Sequence, residues 1–492
     1  MSGVLILTVG TVLAKIFSAI YRIVLTRILG GVGIGLYQLI FPLYSLCVVL
    51  VTAGLPLAVS KLVAKYPKYA KKIISKIILF MTFISLGIGV SMLILGSIDR
   101  TNANYLWSYV ILAPTIVLTS TSAVLKGYFQ GKHEFQPSAI SNIIEQFIKM
   151  TVGLLLSLIL VNIDIYLGII GAIIGVAVSE IVSLVVLVLF YKKSKPKRES
   201  RIDISYKELL KDVLPITITN IILPLASFVD SILVVKLLTR NFSSNMSVFL
   251  YGLESGAVSS IASIPTIFSF SIASVILPNL SSNVRDWNKN YTLSLSVKVI
   301  LTIVVPCVIA FLFIPDRIIG VIYSTKLNDL GINGTKIASA LLALTGLGMV
   351  ALSINQIYSI SLQAVNKRYV TIRNSLLGVL VKFFIELIFL PTVRLNIYSL
   401  AIANTICYIL IMALNYAEIN NTFKLKINYL FGAKLLLCNF LMVMAMIGIL
   451  AFGNSATNTI LAIVVGGIVY LSSLYLVKIF NKRDMAIIKY KV

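Results

Sequence analysis

The sequence has few of the side chains on which most enzymes and metalloproteins depend. Its 492 residues include one histidine, four cysteines and 17 aspartates and glutamates, against 42 lysines and arginines. The sequence shows no nucleophile paired with a base and no phosphate-cradling P-loop, which argues against an enzyme and against direct use of ATP. The cysteines have no paired spacing, so we expect no disulfide, no metal site and no cofactor.

Long apolar segments make up most of the chain. Hydrophobic residues account for 59% of the sequence, and the mean hydropathy is +1.00. A soluble domain contains about 45–50% apolar residues, and a helix needs about 20 of them in succession to cross a bilayer. The apolar runs are continuous and do not alternate as barrel strands do. We therefore predict an all-α, multi-pass membrane protein with about 14 transmembrane helices, at residues 3–28, 36–60, 76–98, 105–126, 137–160, 165–191, 212–238, 248–280, 292–314, 336–363, 370–391, 395–417, 429–452 and 457–479.

The distribution of positive charge predicts the orientation in the membrane. With the N-terminus in the cytoplasm, 29 of the 42 lysines and arginines fall in inner loops and the C-terminal tail, 7 in outer loops and 6 within spans. This bias is the positive-inside pattern, so both termini are predicted to be cytoplasmic. The basic inner surface would attract anionic membrane lipids. Because the charge follows the loops in this way, we do not expect nucleic acid as a partner.

A polar linker divides the predicted spans into two halves. Residues 192–211 form the only long polar stretch between spans. We predict an N-lobe at 1–191, the cytoplasmic linker at 192–211, a C-lobe at 212–417, and two further helices with a cytoplasmic tail at 418–492.

The two halves resemble each other. Gln130 and Lys149 have counterparts in Gln363 and Lys382 at one ungapped offset of 233 residues. Because six spans separate the halves, both repeats keep the same orientation. Parallel repeats around a central cavity are a common plan of secondary transporters, which bind substrates and coupling ions near the bilayer midplane.

Charged residues within the first span are candidates for the substrate site. An ionisable group at the bilayer centre costs at least about 2.5 kcal/mol, so it usually faces a cavity, pairs with another group or has a function. Lys15 and Arg22 are seven residues apart and share one helix face. Two cations facing a water-filled cavity would suit a phosphate-bearing substrate. Alternatively Arg22, or Arg27 beyond it, extends to the outer headgroups or pairs with Asp230.

Each half has one charge pair within a span, and the two lysines occupy equivalent positions. Glu145 and Lys149 are four residues apart in the fifth span, as are Lys382 and Glu386 in the eleventh. Such a pair can neutralise itself along one helix face, or its members can line a cavity. The equivalence of Lys149 and Lys382 favours a function.

The remaining carboxylates within spans are candidates for ion coupling. Asp230, Glu254 and Glu180 have no obvious partner on their own helix. A membrane carboxylate can bind Na⁺ or a proton, or balance a cation on another helix. Coupling to Na⁺, H⁺ or the membrane potential is therefore considered, and the candidate ion-coupling or charge-pairing residues are Glu145, Asp230, Glu254 and Glu386.

Two segments carry a resemblance to a known family. GIGLYQLIFPLYSLCVVLVTAGLPLAVSKLVA at 33–64 and LKGYFQGKHEFQPSAISNIIEQFIK at 125–149 closely resemble the polysaccharide-transporter branch of the multidrug/oligosaccharidyl-lipid/polysaccharide (MOP) exporter superfamily. Within it, the chain is most similar to the stage V sporulation protein B group, relatives of the lipid II flippases. The resemblance implies a V-shaped, two-lobed carrier in the bacterial cell membrane that flips undecaprenyl-linked sugars, with cell-wall synthesis proteins as further partners.

The resemblance also bears on individual positions. Lys15 and Arg27 fall where lipid II flippases have basic residues in the first span. The cavity arginine of their second span has no counterpart at 45–50, and Glu254 lies near the place of a basic residue in their eighth span. The last two spans resemble a pair that contacts the lipid tail in those flippases.

We therefore predict a flippase that moves an undecaprenyl-linked, pyrophosphate-bearing saccharide, such as the peptidoglycan precursor lipid II, by alternating access and breaks no covalent bond. The predicted substrate-binding residues are Lys15, Arg22, Arg27, Lys149 and Lys382. One alternative is a cation-coupled multidrug exporter of the same fold, which would place carboxylates where this chain has lysines. Another is a membrane scaffold without turnover, whose cavity charges would be dispensable.

Overall fold

The computed structural model describes residues 2–98, 103–193, 206–269, 272, 286–328, 330–423, 429–453, 455–481 and 484, which form helices and turns and contain no β-strand. By their contacts, these residues form two compact units, and the first comprises Met1–Thr239 and Ser243–Gly252. Its helices are α1 (Ser2–Thr52), α2 (Leu55–Lys65), α3 (Ala70–Ile98), α4 (Ala103–Gly131), α5 (Gln136–Leu160), α6 (Ile165–Lys193), α7 (Tyr206–Leu238) and α8 (Ser244–Gly252).

The second unit comprises Arg240–Phe242 and Leu253–Val492. Its longer segment begins with a π-helical turn at Leu253–Val258. Its described helices are α9 (Ser259–Ala262), α10 (Asp286–Phe313), α11 (Pro315–Tyr323), α12 (Gly334–Ala364), α13 (Arg368–Phe389), α14 (Tyr398–Phe423), α15 (Tyr429–Leu450) and α16 (Ala456–Leu476). Residues 194–205 of the predicted linker lie outside the described residues, and the predicted lobe boundaries stay a prediction.

The prediction of an all-α, multi-pass membrane protein is confirmed. Eleven segments of the described residues are long and apolar enough to cross a membrane, and the first, Val9–Lys65, covers most of the first predicted span and all of the second. Helix α13 is not among the eleven because it carries Arg373, Lys382 and Glu386. The predicted span at 248–280 is only partly described, and its described portion is interrupted by the π-helical turn.

Helix α1 is a hairpin of two helical arms. Its backbone breaks at Gly30, where φ is 71° and ψ is −173°, a conformation that glycine adopts without a steric penalty. The ring centroids of Tyr21 and Phe41 each lie 5.2 Å from the Lys149 Nζ atom, so the two rings are close neighbours. A straight helix would separate residues 21 and 41 by about 30 Å. The chain therefore turns back on itself between the two predicted spans.

The predicted span at 36–60 is interrupted. Helix α1 ends at Thr52 and α2 begins at Leu55. Pro56 follows at the start of α2, and a proline disfavours helical geometry at the residue before it and removes a backbone donor. The residues that follow the break form a separate short helix, which packs against α4.

Small residues allow the closest helix crossings in the first unit. A Cβ atom on Gly171 of α6 would lie 2.7 Å from the Leu156 backbone carbon, and one on Gly175 would collide with Gly153 of α5. Such contacts between glycines let two helix backbones approach each other in a membrane. Helices α5 and α6, which carry Lys149 and Glu180, are thereby packed in direct contact.

A chain of buried amides joins three helices of the second unit. The Asn374 side chain donates to Asn415 at 2.8 Å, and Asn415 donates to Asn355 at 2.6 Å. These residues lie on α13, α14 and α12, respectively. Because lipid offers no hydrogen bonds, such interhelical amide pairs hold transmembrane helices together.

Candidate functional site

The predicted substrate-binding residues are distributed over both units. Lys15, Arg22 and Arg27 lie on the first arm of α1, where Lys15 is half-buried and both arginines are exposed. Lys149 is half-buried on α5 of the same unit, whereas Lys382 is buried on α13 of the second unit. The first unit therefore contains four of the five predicted residues.

Lys149 lies at the centre of a cationic and aromatic site. Its Nζ atom is 5.2 Å from the ring centroid of Tyr21 and 5.2 Å from that of Phe41. One ring comes from each arm of α1, so the Gly30 turn is what brings both of them to the lysine. An ammonium over aromatic faces is stabilised by the ring quadrupoles, by about 0.5–2 kcal/mol per contact.

A small cleft opens beside Lys149. Its volume is about 110 Å³. The residues that line it come from the second arm of α1, from α5 and from α6, and they are Phe41, Tyr44, Ser45, Val48, Glu145, Gln146, Lys149, Val176, Ser179 and Glu180. We call this set the Lys149 cleft. It combines aromatic rings, hydroxyls, an amide and charges of both signs.

The sequence predicted that Glu145 and Lys149 could neutralise each other along α5, but Glu145 has other partners. Its carboxylate is 3.3 Å from the Lys126 ammonium of α4. It also accepts hydrogen bonds from Gln146 at 2.9 Å and from Ser183 of α6 at 3.3 Å. Its charge is therefore balanced mainly from α4, and Lys149 remains beside the aromatic rings.

Charges of both signs surround the cleft. Arg22, Glu145 and Glu180 lie within electrostatic range of the Lys149 ammonium. With Lys126, these groups carry three positive and two negative charges, and one of the negative charges is paired with Lys126. An anionic group of a ligand would be attracted by Lys149 and Arg22, while the Glu180 carboxylate, 9% exposed, also lines the cleft.

In the second unit the predicted pairing along the helix does occur. The Lys382 ammonium is 3.7 Å from a Glu386 oxygen, with side-chain exposures of 6% and 0%. Glu254, in the π-helical turn, accepts a hydrogen bond from Thr345 of α12 at 2.8 Å and lies within electrostatic range of Lys382. The equivalent lysines of the two halves thus have different surroundings, an aromatic cleft for Lys149 and a buried ion pair for Lys382.

Asp230 completes the set of predicted carboxylates. It is buried on α7 and lies in the first unit. Glu145 and Asp230 therefore belong to one unit, and Glu254 and Glu386 to the other. Among the described residues, no group of three or more histidines, cysteines or acidic residues is arranged to hold a metal ion.

Sequence reasoning missed the aromatic part of the site. Tyr37 stacks on Phe41 with a centroid distance of 5.2 Å, and Phe41 meets Tyr44 at 5.7 Å. The spacing of four and three residues places all three rings on one helix face, a signal that was present in the sequence. Tyr21 belongs to the other arm, and its contact with Lys149 depends on how that arm packs against α5, which the spacing of residues does not specify.

A bundle of membrane-spanning helices, with a polar cleft of mixed charge within its apolar segments, defines an integral membrane protein. The chain matches the family described as polysaccharide biosynthesis protein over residues 1–284, more than half its length, and it belongs to this family.

Relatives from Bacillus subtilis (strain 168) agree with this assignment. The chain is 23% identical to stage V sporulation protein B over 99% of its own length and 96% of the relative. It is 23% identical to the lipid II flippase MurJ over 80% of its own length and 77% of the relative. The match to the membrane protein YabM is 26% identical but spans 58% of this chain and 56% of that protein. The resemblance identified from the sequence is confirmed.

Solved structures share the fold. The lipid II flippase MurJ in an inward closed conformation matches with a TM-score of 0.68 and 17% identity, covering 96% of this chain and 98% of that one. An inward-facing multidrug resistance MATE family transporter of the MOP superfamily matches with a TM-score of 0.64 and 13% identity, covering 84% and 94%. The chain therefore has the fold of these membrane transporters, as predicted.

Proposed function

We propose that the protein is a flippase that translocates an undecaprenyl-linked, pyrophosphate-bearing saccharide across the bacterial cell membrane by alternating access. The peptidoglycan precursor lipid II, or a related glycan, is the proposed substrate. The proposal is supported by the likeness to stage V sporulation protein B along nearly the whole chain and by the fold shared with MurJ. The protein would lower the free-energy barrier to moving a polar headgroup through the hydrocarbon of the bilayer. Because no covalent bond changes in this process, the protein is proposed not to be an enzyme.

The observation that carries the proposal is the position of Lys149. Its ammonium lies 5.2 Å from the centroids of two aromatic rings and within electrostatic range of Arg22, while the carboxylate of Glu145 on its own helix is paired with Lys126. A pyrophosphate would accept charge-assisted hydrogen bonds from such cations. Lys15 and Arg27 on α1, together with Lys382 in the second unit, are proposed to meet the headgroup at other stages of its passage.

The driving force and the surroundings of the protein are part of the same proposal. Both termini are proposed to be cytoplasmic, in accordance with the positive-inside rule. A proton or Na⁺ bound at Glu145, Asp230, Glu254 or Glu386, or the membrane potential itself, is proposed to reset the cycle. Membrane lipids and cell-wall synthesis proteins are the proposed partners.

The proposal is tested by reconstitution in liposomes that contain fluorescent lipid II, with a quencher added outside. The wild-type protein should expose the headgroup rapidly, and Lys149→Met should slow this step by about 10- to 100-fold, since a hydrogen bond to a charged group contributes about 1.5–3 kcal/mol. Lys236→Met is the matched control, because Lys236 is an exposed span lysine in the last turn of α7.

Two results would contradict the proposal. The first is wild-type protein that does not flip lipid II or another undecaprenyl-linked glycan under any ion gradient or voltage. The second is a Lys149→Met variant that flips lipid II at the wild-type rate. This result would be compatible with a flippase but would contradict the proposed role of the Lys149 cleft in binding the headgroup.

A cation-coupled multidrug exporter is the second candidate. The two carboxylates that line the cleft, Glu145 and Glu180, and the fold shared with a MATE transporter favour it. Against it, a cationic drug would be repelled by Lys149 and Arg22. Efflux of a cationic dye from proteoliposomes, abolished by Glu180→Gln and retained in Lys149→Met, would decide for the exporter.

A further inference from the structure

A second cavity of the first unit is lined by basic side chains. Its volume is about 480 Å³, within the range of about 300–1,000 Å³ that is usual for ligand sites. It lies at the predicted cytoplasmic ends of α2, α3 and α4. The charged residues among the described residues that line it are Lys68, Lys71, Lys72, Lys132, His133 and Glu134. Four lysines therefore face one carboxylate, and we call this the inner basic cavity.

Aromatic rings hold two of these lysines in place. The Lys132 ammonium lies 4.5 Å from the ring centroid of Tyr128, and that of Lys71 lies 5.3 Å from the ring of Tyr191. The two tyrosines contact each other edge to face, with their centroids 5.1 Å apart. Tyr128 is fully buried, so the rings form a fixed support. The cavity thus presents positioned ammonium groups.

The start of α3 adds to the positive potential. Lys71 and Lys72 lie in its first turn, and that turn contains no acidic residue. Cations at a helix N-terminus are disfavoured by the helix dipole, whereas a bound anion there is stabilised. Lys68, in the preceding 3-10 turn, brings a third positive charge to the same place. An anionic ligand would offset all of these repulsions at once.

Close packing fixes the opposite wall of the cavity. A Cβ atom on Gly131 of α4 would lie 2.7 Å from the Ser60 carbonyl oxygen of α2, so the two helices are in backbone contact. Beyond Gly131 the chain turns through His133, whose φ is 59°. The Glu134 amide bonds back to the Phe129 carbonyl at 2.9 Å, which closes this turn and orients Lys132.

The positive-inside rule alone does not account for this arrangement. Orientation depends on the number of lysines near the membrane, and it requires neither a shared cavity nor tyrosine rings beside two of the ammonium groups. Lys65 and Lys76 belong to the same inner segment but do not line the cavity. Lys65 and Lys76 therefore serve as comparison lysines outside the cavity. The Lys65 ammonium also lies 5.0 Å from an aromatic ring, that of Tyr66, so it differs from Lys71 and Lys132 in its position outside the cavity.

We infer that the inner basic cavity binds a phosphate group, carried either by a membrane lipid headgroup or by a soluble phosphorylated molecule. The cavity belongs to the first unit and is a site distinct from the Lys149 cleft, with which it shares no lining residue. Binding at this cavity requires no translocation, so the inference can fail while the proposed function stands.

The test measures binding to the purified full-length protein in a neutral detergent. The lipid probe is short-chain phosphatidylglycerol, the soluble probe is inorganic pyrophosphate, and short-chain phosphatidylcholine is the zwitterionic comparison. We expect saturable binding of at least one anionic probe, weakened about tenfold or more in Lys71→Gln/Lys132→Gln. The control variant Lys65→Gln/Lys76→Gln, with the same change in charge, should bind within about twofold of the wild type.

Each outcome decides the inference. Binding of phosphatidylglycerol alone identifies a lipid headgroup as the source, binding of pyrophosphate alone identifies a soluble one, and binding of both establishes the shared chemistry. Equal weakening in the two double variants would mean diffuse attraction by surface charge and would overturn the site. Absence of saturable binding of either anionic probe to the wild type would overturn it as well.

A second measurement on the wild type guards against a variant that does not fold. Lysines are labelled with an amine-reactive reagent with and without the anionic probe, and the labelled positions are read by mass spectrometry. We expect protection of Lys71 and Lys132 and an unchanged rate at Lys65. Uniform protection of all three lysines, or none, would contradict a defined cavity site.

Discussion

The ion pair between Glu145 and Lys126 of α4 predicts a measurable coupling energy between these two residues. The Glu145 carboxylate and the Lys126 ammonium are 3.3 Å apart, with side-chain exposures of 17% and 19%. At an effective dielectric constant of about 20, a separation of this size corresponds to an attraction of about 5 kcal/mol. Desolvation of both groups removes much of this. We therefore expect a coupling of about 1–3 kcal/mol in a double-mutant cycle of Lys126→Met and Glu145→Gln.

The assay is thermal unfolding of the purified variants in one detergent. Each single variant should lower Tm by more than half of the loss seen in the double variant, because the first substitution already removes the attraction. A second cycle, of Glu145→Gln with Lys149→Met, is the matched comparison and should give a smaller coupling. A coupling near zero between positions 126 and 145, or a larger one between 145 and 149, would refute the pairing.

Three further predictions concern packing and buried polar groups. Gly35→Ala should lower Tm by several degrees, because the added Cβ atom would collide with the Val248 carbonyl oxygen of α8. Gly87→Ala is the control: Gly87 has open space around it, so this substitution should leave Tm unchanged or raise it slightly. Lys382→Met should destabilise the protein by about 3–5 kcal/mol in the same assay, since it leaves the buried Glu386 without its ion-pair partner. Adding Glu386→Gln to this variant should restore most of the lost stability. Asn415→Leu removes the central amide between α12 and α13 and should cost about 1–3 kcal/mol for each buried amide left unsatisfied; an unchanged Tm would contradict the amide chain.

Much of the fold could be predicted because membrane-spanning segments leave a direct signal in the sequence. About 20 consecutive apolar residues are needed to cross a bilayer, and most of the predicted spans are single helices in the structure. The interruptions were harder to predict. Pro56 could have indicated the break before α2, since proline restricts the residue before it. The π-helical turn at Leu253–Val258 has no comparable signal, because it depends on the packing of the turn against other helices.

The candidate site could be predicted only in part, for a physical reason. Spacing along one helix identifies which side chains share a face, and it allowed the pairing of Lys382 with Glu386 as one of two alternatives. The same rule applied to Glu145 and Lys149 missed Lys126, which reaches Glu145 from a neighbouring helix. Spacing contains no information on such contacts. The surroundings of a charged side chain within a span therefore depend on which helices pack against its own helix, and the sequence reasoning did not identify those helices.

The turn at Gly30 also bears on how the protein is made. The two arms of α1 are joined with almost no intervening loop, so a nascent chain that has emerged past the second arm can enter the bilayer as a helical pair. The first arm contains Lys15 and Arg22, each of which would be costly to insert singly. The second arm supplies an uncharged, aromatic-rich surface through Tyr37, Phe41 and their neighbours. Insertion as a pair would thus bring the second arm next to these charges before the remaining helices are synthesised.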